Sequence, residues 1–290
     1  MCSSTVRRME WVPNNCKVSS FSATRFCKLL GSRRILLIGD STMHQTASVL
    51  MNAIYYALRD KGCQPQLQFS LSDTLVDVPG VPERGLHWMK YVVKYKPDIV
   101  ILSTGPHIHN RDAFSTIIQL IKQDIVKHHA GVSFLLSKPF DVVWRTQPAS
   151  GCAARAGERI TDWSKYSWSK VYNYADQDER DEYARTQFEN IVDVSPLRWR
   201  GDAHVGVHSK VYRSDCTHQC IPGPLSTLIP KLMLRYLEKM HARGGDGDDV
   251  AYYRRRQSRN TLVADDGAGV LLRKQSKQML LRAQEGRDTN

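Results

Sequence analysis

At 290 residues and 41% hydrophobic content, the chain is long enough for one sizeable α/β domain plus a tail. Its net charge of +12 and pI near 9.4 favour acidic partners, but no nucleic-acid fold motif accompanies the charge, so nucleic acid is not an expected partner. No run is long or apolar enough to span a bilayer, and the first eight residues lack the apolar core of a signal peptide; either the protein is not secreted or its targeting segment lies outside this sequence.

Residues 1–33 read as an irregular N-terminal arm, pinned to the domain by Trp11, Pro13 and Cys16. Ile35-Leu36-Leu37-Ile38 then reads as a strand buried on both faces, and Gly39 ends it. Residues 42–58 follow as a helix, with Ala47, Leu50, Met51, Ile54 and Leu58 along one face. Residues 66–71 alternate polar and apolar and suggest a second strand; residues 73–84 hold two prolines and Gly80 and read as loop. Helical spacing returns over 85–95, a buried strand over 99–102, and a helix with an Asp cap over 112–128. Residues 132–136 and 141–146 are both strand-like, and the second is favoured as the sheet strand.

Residues 147–178 are polar, aromatic and irregular, and a loop of that length in a compact enzyme is usually functional. A helix over 179–191, a short strand over 192–194 and a last helix over 222–240, kinked at Pro230, complete the domain. From 243 to 290 a Gly/Asp linker, an Arg254-Arg255-Arg256 cluster and a short amphipathic stretch suggest a basic, mostly disordered tail with some capacity to dock on a membrane surface or partner. Strands alternating with helices predict an α/β three-layer sandwich, a mostly parallel sheet with helices on both faces. In such sheets ligands bind at the C-terminal strand edge, where Ser41, Ser103 and the residues after Thr146 fall.

Strand, tight turn and helix put Ser41 at a helix N-terminus, where backbone N–H groups favour negative charge. A serine there can attack an acyl carbon while N–H groups hold the oxyanion. The competing reading is that Asp40, Ser41 or Thr42 merely caps the helix. A serine nucleophile needs a base and the base an orienter. Asp215 and His218, three residues apart, can present both from one turn.

Gly39-Asp40-Ser41 with Asp215-x-x-His218 resembles the signature of SGNH-type esterases. The flanking words narrow the likeness to the PC-esterase branch, which includes the trichome birefringence-like polysaccharide O-acetyltransferases. They are Trp11 to Cys16, Phe26 to Leu30, Gly39 to Gln45, Ser103-Thr104-Gly105, Val142 to Thr146, Pro196-Leu197 with Arg200 to His204, and Asp215 to Pro224. The resemblance runs from about residue 11 to 240 in the family's order. It implies an SGNH-like, flavodoxin-like catalytic domain over 34–242, with Ser41, His218 and Asp215 as nucleophile, base and orienter. It puts Ser103 where the family has an oxyanion-hole asparagine, leaves Gly80 or Gly85 as the loop glycine, and sets Gly105, His107 and Arg145 at the pocket. Asp40, Asp202 and His204 become supports behind the triad.

The implied activity is transfer of acetyl to glycan or polysaccharide hydroxyls through a serine ester, with acetyl-CoA or another acetyl ester as donor and no bound cofactor. An acetylesterase with the same triad and a non-catalytic glycan-binding module are the alternatives. The family also implies a secretory, Golgi-lumenal setting, a membrane-associated partner at most, and disulfides joining Cys152 to Cys216 and Cys220 to Cys2, Cys16 or Cys27; seven free thiols is the competing reading. His107-x-His109, with Asp202, His204 and His208, has metal-like spacing, as do Cys216 and Cys220 around His218, but no metal is expected.

Overall fold

The computed structural model describes residues 7–8, 10, 20–58, 63, 66–77, 85–108, 110–129, 140–148, 176–205 and 215–244. Strand β1 (Ile35–Gly39) is buried at all five positions. It lies between β2 (Leu67–Leu71) and β3 (Ile99–Ser103), parallel to both. Strands β4 (Asp141–Arg145) and β5 (Ile191–Val192) extend the sheet to five strands in the order β2-β1-β3-β4-β5, every pairing parallel. Alternate β1 side chains enter different cores. Ile35 and Leu37 pack with residues of α1 (Ala23–Leu30), α2 (Ser41–Leu58) and α6 (Pro224–Gly244). Leu36 and Ile38 pack with α3 (Trp88–Tyr95), α4 (Arg111–His129) and α5 (Gln177–Gln187). The molecule is therefore the three-layer α/β sandwich expected. Two covered faces explain why its central strands are unbroken aliphatic runs. Each buried Leu or Ile contributes roughly 1.5–3 kcal/mol.

Two expectations need correction. The arm before residue 34 is not all irregular: α1 is a helix whose Ser22 cap accepts from Arg25 N–H at 3.3 Å, with Phe26 and Leu30 fully buried. The helix expected over 179–191 ends at Gln187, because Ile191 and Val192 pair with Trp144 and Arg145 as β5. The proposed strand at 132–136, most of the loop over 147–178 and the tail beyond 244 lie outside the described residues. The chain divides into two compact units, Met1–Met240 and His241–Asn290.

Cys27 of α1 is bonded to Cys63, so it is not the partner of Cys220. Nothing in the sequence spacing marks Cys63 as that partner. Cys216 and Cys220 are also disulfide-bonded, while Cys2, Cys16 and Cys152 lie outside the described residues. Among the described residues no helix is long and apolar enough to cross a membrane, and no group of three His, Cys, Asp or Glu is placed to hold a metal.

Parallel strands bring their C-terminal ends to one edge. Gly39 is in register with Ser103 there. The approach is close: a Cβ on Gly39 would sit 2.3 Å from the Ser103 carbonyl oxygen and 2.9 Å from Met43 Cβ. Glycine at this point lets β1 turn into α2 directly against β3.

Candidate active site

Helix α2 begins at Ser41, and its cap is Asp40. The buried Asp40 carboxylate accepts from Thr42 N–H at 2.8 Å and lies 2.6 Å from Thr42 Oγ1, while its carbonyl accepts from Met43 and His44 N–H at 3.0 and 3.1 Å. Capping by Asp40 leaves the half-buried Ser41 side chain for another partner. Ser41 N–H is among the first-turn donors that a helix cannot satisfy itself.

That partner is His218. Its Nε2 lies 2.8 Å from Ser41 Oγ, and its Nδ1 lies 2.9 and 3.0 Å from the two carboxylate oxygens of Asp215. Asp215 Oδ1 also accepts from the backbone N–H of His218 at 3.0 Å and of Thr217 at 3.3 Å, so the turn and the ring are held by one carboxylate. Nδ1–H donating to Asp215 leaves Nε2 as the acceptor facing Ser41. The hydrogen bond to Asp215 raises the His218 pKa above its ordinary value, against burial, with smaller help from the charges of Asp215 and Asp40. Burial pushes the Asp215 carboxyl up, but hydrogen bonds from His218 outweigh it and leave its pKa below the usual range. His218 and Asp215 side chains stay 32% and 24% exposed, enough for solutes to reach the ring.

Beneath this surface lies a buried polar floor that the sequence did not announce. Arg145 was expected to line the pocket, but it is fully buried. Its guanidinium donates to Thr42 Oγ1 at 2.6 Å, Ser103 Oγ at 2.8 Å, Thr46 Oγ1 at 3.1 Å and Gln147 Oε1 at 3.3 Å. Burial lowers its pKa to about 10, with Asp40 and Asp181 opposing. Ser103 is equally enclosed. Its hydroxyl donates to the Arg145 carbonyl at 2.8 Å and accepts from Arg145 and from Gln147 Nε2, each at 2.8 Å. Its single proton is thus committed, leaving none for an oxyanion; Ser103 joins β3 to β4 instead.

Gln147 is among the residues after Thr146 at the strand edge, but its residue type does not single it out. It stands two places beyond Arg145 and bridges Asp40, Thr42 and Ser103, while its backbone N–H meets Asp181 and its carbonyl accepts from Arg198 at 2.9 Å. Asp181 is buried against Arg198; burial raises its pKa and the Arg198 charge pulls it back. The signal for Gln147 in the sequence is its place just after the strand-end residues Arg145-Thr146.

Gly105 starts a turn closed by Ile108 N–H donating to its carbonyl at 2.9 Å, and buried Arg180 donates to the carbonyls of Gly105 and Ile108 at 3.1 and 2.8 Å. His107, on that turn, lies 3.6 Å from Asp73 and is partly exposed; His109 is outside the described residues. Of the two loop glycines, Gly80 is also outside them. Gly85, at φ +107°, forms a bridge with Ser72, where any Cβ would strike the Leu71 carbonyl at 2.0 Å. Asp202 is buried and takes a two-point contact from Arg200 at 2.9 and 2.8 Å. His204 is buried, its Nε2 3.1 Å from the Gln219 amide. Burial lowers its pKa to about 4, so the ring is neutral at pH 7.

No family model matches the chain, and no curated protein matches its sequence. Among solved structures the fold is similar to that of an acetyl xylan esterase, AlAXEase, at 16% identity and a TM-score of 0.39, over 71% of this chain and 97% of that chain. A likeness that slight carries no argument about chemistry.

Proposed function

We propose that the chain is a serine-dependent acyl-transfer enzyme that moves acetyl groups to glycan hydroxyls. The 2.8 Å contact between Ser41 Oγ and His218 Nε2 carries the reading, with Asp215 bonded to the opposite ring nitrogen. In the first step His218 Nε2 takes the Ser41 proton as Oγ bonds to the acetyl carbon. The imidazolium, stabilised by Asp215, then gives that proton to the leaving group as the donor bond breaks. In the second step His218 takes a proton from the acceptor hydroxyl as that oxygen bonds to the acetyl carbon, and returns the proton to Ser41 Oγ as the serine ester bond breaks. The oxyanion faces the α2 N-terminus, where Ser41 N–H is the first donor by position. Acetyl-CoA or another acetyl ester serves as donor, and no resident cofactor takes part.

Acetyl as the acyl group and glycan as the acceptor come from the resemblance of the sequence words. Bonded Cys27, Cys63, Cys216 and Cys220 support an oxidising compartment, in line with a secretory setting. The partial exposure of His218 favours a second reading, in which water is the acceptor and the enzyme is an acetylesterase.

A chromogenic acetyl ester, offered with and without oligosaccharide acceptors, tests both. Acetylated oligosaccharide marks transfer; release of acetate alone marks hydrolysis. Ser41→Ala is expected to reduce either to background, and full activity in that variant refutes the proposal.

A further inference from the structure

Gln45 stands one helical turn after Ser41 on α2. Its side chain reaches residue 219, the neighbour of His218. Gln45 Nε2 donates to the Gln219 carbonyl at 2.9 Å, and Gln45 Oε1 accepts from Gln219 N–H at 3.1 Å. One amide from the nucleophile's helix therefore satisfies both backbone polar groups beside the base.

The other side of that segment is held too. Val205 N–H donates to the His218 carbonyl at 3.0 Å, and Cys220 N–H donates to the Ala203 carbonyl at 2.7 Å. The Gln219 amide rests on buried His204 at 3.1 Å. Asp215 and His218 form a unit of their own, since Asp215 grips both the ring and the backbone N–H of His218. Their mutual geometry is local to one turn. What that turn cannot set is its distance from Ser41, 177 residues away in sequence.

We infer that Gln45 is a positioning residue, whose two-point contact with the Gln219 backbone fixes the distance between Ser41 and the His218 ring. This rests on the acyl-transfer reading given above. Gln45 touches no reacting atom. Without it the Asp215–His218 unit keeps its internal bond but drifts from the nucleophile, and a shift of about 1 Å can cost on the order of 100-fold in rate.

The spacing can be read without any substrate. In Ser41→Cys, a thiol at position 41 faces His218, and a thiolate–imidazolium pair draws its pKa well below the ordinary value of about 8.5. Iodoacetamide alkylation at that position, followed against pH by peptide mass spectrometry, reports that pKa. Adding Gln45→Ala is expected to return it toward about 8.5. In the Ser41 protein, Gln45→Ala is expected to lower kcat by roughly 10- to 100-fold with KM changed less than about twofold, and to leave the His218 limb of the pH profile in place. Gln45→Glu keeps the acceptor for Gln219 N–H and gives up the donor; it is expected to fall between, and it carries the same test if Gln45→Ala does not fold.

Coincident alkylation profiles with and without the Gln45 substitution overturn the inference alone. An ordinary thiol pKa in Ser41→Cys itself overturns the Ser41–His218 contact, and with it both this inference and the acyl-transfer reading.

Discussion

Asp40 and Ser41 are neighbours with separate tasks. Asp40 satisfies the first turn of α2, which releases Ser41 Oγ to His218. The two readings of this tripeptide, cap or nucleophile site, are therefore compatible. Asp215 is the residue that holds the His218 ring. Its hydrogen bond is the foremost cause of the raised His218 pKa; the proposed mechanism uses the neutral ring, so activity is expected to rise with pH through a limb above the ordinary histidine value of about 6.5. Asp215→Asn removes that cause. It is expected to lower kcat by roughly a thousand- to ten-thousand-fold and to move the limb of kcat/KM to lower pH. A kcat/KM profile on the acetyl ester with the limb unmoved counts against Asp215 as the orienter.

The spacing of Asp215 and His218 is legible in the sequence because three residues make one turn. The environment of Arg145 is not, because a charged residue is rarely fully buried unless its donors are met. Here the two terminal nitrogens donate to Thr42, Thr46, Ser103 and Gln147, from three separate stretches of chain, while Nε is buried without a partner among the described residues.

At the scale of elements, the pattern that reads most clearly is the buried strand. Four aliphatic residues in a row leave little choice but a parallel sheet covered on both sides, and β1 and β3 fall where those runs predict. Helix α1 is harder to see: it is short, and what anchors it is Phe26 and Leu30 in a core assembled from α2 and α6, far along the chain. Its bond to Cys63 is equally invisible, since spacing alone does not choose among cysteines. The turn between β1 and α2 admits a direct test. In Gly39→Ala a methyl must enter space 2.3 Å from the Ser103 carbonyl oxygen, and that oxygen belongs to backbone, which cannot swing away. Destabilisation of about 1–3 kcal/mol is expected in urea unfolding, by the mechanism of overpacking. An unchanged midpoint excludes the close contact.

For the molecule as a whole, acid is the informative stress. The unfolded chain binds a proton at residue 204 below about pH 6.5. The folded chain does not do so until about pH 4, because His204 is buried. Between those values the unfolded state holds more protons, so stability falls as pH falls, by about 3 kcal/mol in all. Asp215, with its lowered pKa, contributes stability above its unfolded value and loses it as pH falls through its folded one. His218 works in the opposite sense: its raised pKa contributes stability at low pH, which is lost as pH rises through the folded value. His204→Gln keeps an acceptor for Gln219 and cannot titrate. The stability difference between pH 7 and pH 4 should shrink by about 3 kcal/mol in chemical denaturation of that variant. An unaltered difference assigns the acid sensitivity elsewhere.

The placement of Ser41 and His218 at opposite ends of the domain has a consequence during biosynthesis. Ribosomes deliver the hydroxyl first and the imidazole 177 positions later, so the growing polypeptide holds Ser41 without its His218 partner over that span. The contact between the two side chains forms only once the segment carrying His218 has emerged and docked.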